Sequence, residues 1–105
     1  MNATLKTSLI IDAKLLLRLH VNAFDDEIGD LIDAAADDLI SRNAIQESQL
    51  SGSTIAPLIK RAILTYVRAY FGTPEDPERL KADYDEQKAT LMMTSGYTDW
   101  GEING

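Results

Sequence analysis

Few residues in this chain of 105 could perform chemistry. His20 is the only histidine, and there is no cysteine. A metal site needs several ligands at suitable spacing, and acid–base or nucleophilic catalysis needs a second group beside the first; the sequence offers neither. A phosphate-binding GxxxxGK loop is also missing. We therefore predict no catalytic residue, no metal site and no cofactor, and we interpret His20 as structural.

Four aspartates form the most regular charged pattern in the sequence. At about 100° per residue, they fall within an arc of roughly 60° on one side of a predicted helix, opposite its apolar side. This acidic stripe could be a solvated surface, a surface that meets a basic partner, or the lining of a passage for a polyanion. A divalent-metal site is disfavoured because side chains in a row along one helix cannot surround an ion. The acidic stripe consists of Asp26, Asp30, Asp33 and Asp37.

Basic residues occur on a different predicted helix, at Lys60, Arg61 and Arg68. The formal charge of the whole chain is −7, which disfavours a role in gripping the nucleic-acid backbone, because that affinity comes from Lys and Arg. Unlike charges on two surfaces suit head-to-tail contact between identical subunits.

The segment PLIKRAILTYVRAYFG, residues 57 to 72, predicts the helix around which the others are organised. Its apolar residues recur at three- and four-residue steps and leave a narrow polar side at Arg61, Thr65 and Arg68. Pro57 suits the first turn of a helix, and Gly72 suits the left-handed position just past its end. A helix of this kind is surrounded on most sides. We predict that the centre of the core contains Ile63, Tyr66, Val67 and Tyr70.

Three further helices are predicted from apolar periodicity and capping residues. The least patterned stretch, AIQESQLSGSTIA at residues 44 to 56, predicts a loop whose ends are anchored by Leu50 and Ile55. The predicted fold is thus all-α, a small bundle of four main helices with a buried central helix. The predicted bounds of the other three are Leu9 to Leu19 with Ser8 as cap, Asp26 to Arg42 with Asp25 as cap and Asn43 as stop, and Pro77 to Thr94–Gly96 with Asp76 as cap.

The last residues predict a flexible C-terminal tail, residues 97–105, after a helical domain at residues 1–96. Tyr97, Trp100 and Ile103 stand there among small and polar residues without helical or strand periodicity. These three side chains either fold back onto the domain or dock on a partner, since aromatic residues are common hot spots of interfaces.

The first twenty residues predict neither a signal peptide nor a membrane span. Their apolar patch is interrupted by Asp12, Lys14 and Arg18, whereas a span needs about 20 predominantly apolar residues. The lack of cysteine fits a reducing compartment. We expect a soluble protein without a membrane partner.

Most of the chain, from about Ser8 to Trp100, resembles the small head-tail connector, or head-completion, proteins of tailed bacteriophages. The resemblance is carried by AKLLLRL, by FDDEIGDLIDAAADDLI and by PLIKRAILTYVRAYFGTPEDPERLKADYDEQKATLMMTSGYTDW. Its most specific parts are the segment Tyr66 to Phe71, the turn with Pro74 and Pro77, and Tyr84 followed by Leu91 and Tyr97.

The resemblance implies a non-enzymatic protein whose subunits form a ring between the portal protein and a tail-side connector or tail protein. Such a ring would continue the channel through which DNA passes without sequence-specific binding. The resemblance thus implies that the acidic stripe and the basic residues Lys60, Arg61 and Arg68 face either a neighbouring subunit or the channel. The implied location is the virion, with the host cytoplasm as the place of assembly. Two other functions remain open from the residues themselves. One is a small helical DNA-binding regulator, disfavoured because such a protein needs a basic recognition helix; the other is an adaptor of some other assembly.

Overall fold

The structure is a computed structural model that describes the backbone of residues 1–104 and the side chains of residues 1–93. The described backbone contains four α-helices, one short 3₁₀ turn and no strand, which confirms the all-α prediction. The elements are α1 (Ala3–Leu17), α2 (Asp25–Ser41), the 3₁₀ turn (Glu47–Leu50), α3 (Pro57–Tyr70) and α4 (Pro77–Asn104).

Helix α3 packs against α1, α2 and α4, as expected for the central element. Pro57 is its first residue, and Gly72 lies just beyond its end with a φ of 62°. At that backbone angle a side chain would be strained, so the glycine serves as the stop. Core side chains from three helices and the loop meet around α3, and the largest fully buried ones are Leu9, Ile28, Ile32, Leu39, Leu50, Ile59, Ile63 and Val67.

Two predictions about α3 side chains were wrong. Tyr70 is 48% exposed, because it lies in the last turn, where the described contacts of its ring are with Tyr66, with centroids 4.5 Å apart, and with the Lys81 ammonium, 5.3 Å from the centroid. Thr65, placed on the polar side by its type, is buried. Its hydroxyl donates a hydrogen bond to the Arg61 carbonyl at 2.9 Å, which satisfies the group within the helix. Hydroxyl residues of this kind can therefore lie on a packed helix face.

Helix α1 begins at Ala3 rather than at Leu9, and its cap is Asn2 rather than Ser8. The Asn2 side-chain oxygen accepts a hydrogen bond from the Leu5 N–H at 2.8 Å. Its amide nitrogen also donates to the carbonyl oxygens of Ser51 and Gly52, at 3.1 and 2.9 Å. One asparagine thus starts the helix and ties it to the long loop. The helix ends at Leu17, before Arg18 with its left-handed φ of 58°.

The bounds of α2 agree closely with the prediction. Asp25 is its first helical residue instead of its cap, while Asn43 has the left-handed φ of 59° that suits a helix stop. In the loop that follows, Leu50 is buried and Ile55 is half-buried, as predicted. None of the described helices is long and apolar enough to cross a membrane.

The start of α4 agrees with the prediction, but its end does not. The Asp76 carboxylate accepts a hydrogen bond from the Arg79 N–H at 3.2 Å, and Pro77 is the first helical residue. The helix then continues past the predicted end at residues 94–96 to Asn104. A single glycine inside a helix costs only about 1 kcal/mol relative to alanine, so Gly96 is a weak stop. The side chains of Tyr97, Trp100 and Ile103 lie outside the described residues.

Candidate subunit interface

The acidic stripe lies on α2, and three of its four aspartates face solvent. Asp33 differs from the others because Lys6 on α1 pairs with it at 2.7 Å. The hydrogen bond to Asp33 raises the pKa of Lys6 against the opposing effect of burial, and the nearby Asp30 and Asp26 add to the rise. Asp26, Asp30 and Asp37 are exposed and make no ion pair with any described residue.

The three predicted basic residues divide in the same way. Lys60 pairs with Asp12 on α1 at 2.7 Å, so its charge is used within the subunit. Arg61 and Arg68 are exposed, and neither forms an ion pair within residues 1–93. Sequence reasoning treated Lys60 and Asp33 as interface residues, but their partners belong to the same subunit.

Helix α1 makes one ion pair with each of the two charged helices. Lys6 joins it to the acidic stripe on α2, and Asp12 joins it to the basic residues on α3. Six residues along a helix correspond to a rotation of about 240°, so Lys6 and Asp12 leave α1 in directions about 120° apart.

A groove of about 400 Å³ runs between α1, α3 and α4 on the basic side of the molecule. Three leucines from three helices contribute its apolar lining, and Arg61 and Arg68 contribute cations. Asp83 offsets part of this positive charge. We call this feature the basic groove; its lining is Leu16, Pro57, Lys60, Arg61, Leu64, Thr65, Arg68, Leu80, Asp83 and Gln87.

Gln87 is the unusual member of this lining. Its side-chain oxygen is buried and has no hydrogen-bond partner among the described residues. Buried acceptors are nearly always paired, because leaving one without a donor costs about 1–3 kcal/mol. Gln87 is a polar residue in the apolar seam of α4, and its missing partner could be recognised only in three dimensions.

Large apolar side chains are also exposed on α1 and at the connection to α2. Ile11 and Leu15, one turn apart on the outer side of α1, are 55% and 71% exposed. Val21 and Phe24, between α1 and α2, are 52% and 42% exposed. The side of α1 opposite Ile11 and Leu15 lies in the core, so this helix is apolar on both sides.

A polar cluster that sequence reasoning missed joins α2 to α4. The Tyr84 hydroxyl donates a hydrogen bond to Asp38 at 2.6 Å, and Lys88 pairs with the same carboxylate oxygen at 2.9 Å. Burial alone would raise the pKa of Asp38, but the bonds from Tyr84 and Lys88 lower it overall. Burial and the Asp38 carboxylate raise the pKa of Tyr84 well above its usual range. Asp38 lies one residue after the stripe, and nothing local distinguishes it.

Neither His20 nor the acidic residues form a metal-binding arrangement in the described part of the chain. His20 is exposed in the connection between α1 and α2. Groups of three or more His, Asp or Glu side chains suited to a metal ion do not occur among the described residues.

Comparison with known proteins identifies the family. The family model described as phage connector protein matches residues 9–98, which is most of the chain. The chain therefore belongs to the phage connector protein family, and its class is that of head-tail connectors, structural components of the virion. No curated protein and no solved structure matches.

Proposed function

We propose that this connector protein forms a ring of identical subunits between the portal protein and a tail-side connector or tail protein. The ring would continue the channel for DNA, which passes without sequence-specific binding. Assembly would take place in the host cytoplasm before the protein becomes part of the virion. The family supports the location at the head-tail junction, and the surface charges support the ring.

The observation that carries this proposal is the separation of unpaired charges of opposite sign. Asp26, Asp30 and Asp37 on α2 and Arg61 and Arg68 on α3 are exposed, lie on different helices and make no ion pair with the described residues. In a ring, each subunit offers one surface to the neighbour on its left and another to the neighbour on its right. Opposite charges on those two surfaces favour this arrangement over contact between like surfaces.

The direct test is electron microscopy of the purified protein with portal particles. We expect a ring of additional density on the tail-facing side of the portal. Portal particles that remain bare at every protein concentration would contradict the proposal. The same particles without added protein are the control.

The triple variant Asp26→Asn, Asp30→Asn, Asp37→Asn tests the location of the acidic stripe. We expect weaker ring formation with an unchanged melting temperature, because the exposed carboxylates make no ion pair with residues 1–93 that would be lost. High salt should weaken wild-type rings similarly. Normal rings with impaired DNA delivery would place the stripe in the channel instead, and normal behaviour in both assays would leave it as a solvated surface.

The tail supplies a separate prediction, because Tyr97, Trp100 and Ile103 have the chemistry of partner anchors. A buried aromatic side chain contributes about 150 to 250 Å² of contact. Deleting residues 97–105 should leave the melting temperature close to that of the wild type and reduce incorporation into portal complexes. A large loss of stability would assign these residues to the core of the subunit, and full incorporation would exclude a docking role.

A further inference from the structure

The basic groove combines two properties that together specify what could fill it. Its lining includes exposed or half-buried leucines, with Leu16 44% exposed. Two arginines without ion-pair partners among the described residues add positive charge. A matching occupant therefore needs an apolar side chain and a negative charge close together.

The connection between α1 and α2, together with the first turn of α2, has both properties. Val21 and Phe24 are exposed apolar side chains, and Asp26 is an exposed carboxylate without an ion pair in the described residues. We call residues 21–27 the α1–α2 corner.

We propose that the α1–α2 corner of one subunit docks in the basic groove of the next. Phe24 would enter the apolar part of the groove, and Asp26 would pair with Arg61 or Arg68. This inference rests on the proposed ring and specifies its contact. It places the amino-terminal end of the acidic stripe in the contact. Asp37 lies outside the contact, about 16 Å from Asp26 along the helix at 1.5 Å per residue.

The test compares two charge reversals on α2 in the full-length chain. Asp26→Arg should weaken self-association by about tenfold or more, measured by sedimentation or mass photometry in the presence of portal particles. Asp37→Arg is the matched control, because it changes the same charge on the same helix outside the corner. Equal weakening by both variants would overturn the proposal in favour of general attraction between the two surfaces.

A charge swap provides the second arm. Arg61→Glu with Arg68→Glu should prevent ring formation, and adding Asp26→Arg to the same chain should restore it, because the reversed charges again face each other. Circular dichroism and melting temperature verify that each variant is folded, which is expected since all three residues are exposed. Failure of the swap to restore rings would overturn the proposal.

A peptide of residues 97–105 that displaces the neighbour would assign the groove to the tail and overturn the proposal.

The outcomes for the ring and for its contact are distinguishable. A wild-type chain that never associates, with or without portal particles, overturns the proposed function and this inference together. If the wild type forms rings and every corner and groove variant forms them equally well, the inference alone is overturned.

Discussion

Replacing Ile63 by alanine should lower the free energy of unfolding by about 2 to 5 kcal/mol. Ile63 is fully buried on α3, the helix that packs against the other three, so its truncation leaves a cavity that several elements would have to move to fill. A loss of this size is a large fraction of the 5 to 15 kcal/mol typical of small domains. Chemical denaturation followed by circular dichroism measures it directly.

Leu58→Ala is the matched control for this experiment. Leu58 lies on the same helix and is 47% exposed, so its truncation should cost less than about 1 kcal/mol. A small effect of Ile63→Ala, or equal effects of the two variants, would contradict the central position of α3.

The ends of α3 could be predicted because their signals are local. Pro57 and Gly72 act through backbone geometry, which neighbouring helices change little. The left-handed Asn43 after α2 and the Asp76 cap of α4 are local signals of the same kind. Such residues determine where a helix begins or ends whatever packs against it.

The start of α1 could not be predicted in this way. Its cap, Asn2, is held by carbonyl groups of residues 51 and 52, so the signal depends on the folded loop. The exposure of Tyr70 depends likewise on where the neighbouring helices end. Periodicity indicates which side of a helix is apolar, but it does not indicate how far along the helix that side is covered.

The placement of the charged residues could be predicted only in part. The separation of acidic and basic residues onto α2 and α3 follows from periodicity, whereas the ion pairs that engage Asp33 and Lys60 join residues distant in sequence. The basic groove is a property of three packed helices and had no signal beyond the polar Gln87 in an apolar seam. Surface features formed by several helices are therefore harder to predict from sequence than the core.

Replacing Asp38 by asparagine should lower the free energy of unfolding by about 1.5 to 3 kcal/mol at pH 7. The carboxylate accepts the Tyr84 hydroxyl at 2.6 Å and pairs with Lys88 at 2.9 Å, and so links α2 to α4. Without that charge, Lys88 would keep a distant contact with Asp85 at 3.9 Å and its position over the Tyr84 ring, 5.0 Å from the centroid. Tyr84→Phe is the control that removes one bond and keeps the ion pair, and it should cost about 1 kcal/mol.

The effect of Asp38→Asn should depend on pH in a defined direction. The pKa of Asp38 is lower in the folded chain than in the unfolded chain, because the bonds from Tyr84 and Lys88 outweigh burial, which alone would raise it. The stabilisation is therefore fully present above about pH 4, the pKa of an unfolded aspartate, and is lost as the pH falls through the lower folded value. The pKa of Tyr84 is raised, so its contribution to stability holds below about pH 10 and declines as the pH rises above that value.

Melting curves of both variants and the wild type from pH 2.5 to pH 11 would measure this pH dependence. We expect the difference in melting temperature between the wild type and Asp38→Asn to be greatest between these two pH limits and to shrink toward acid. A difference that stays constant down to pH 2.5 would mean that the Asp38 charge does not stabilise the packing of α4.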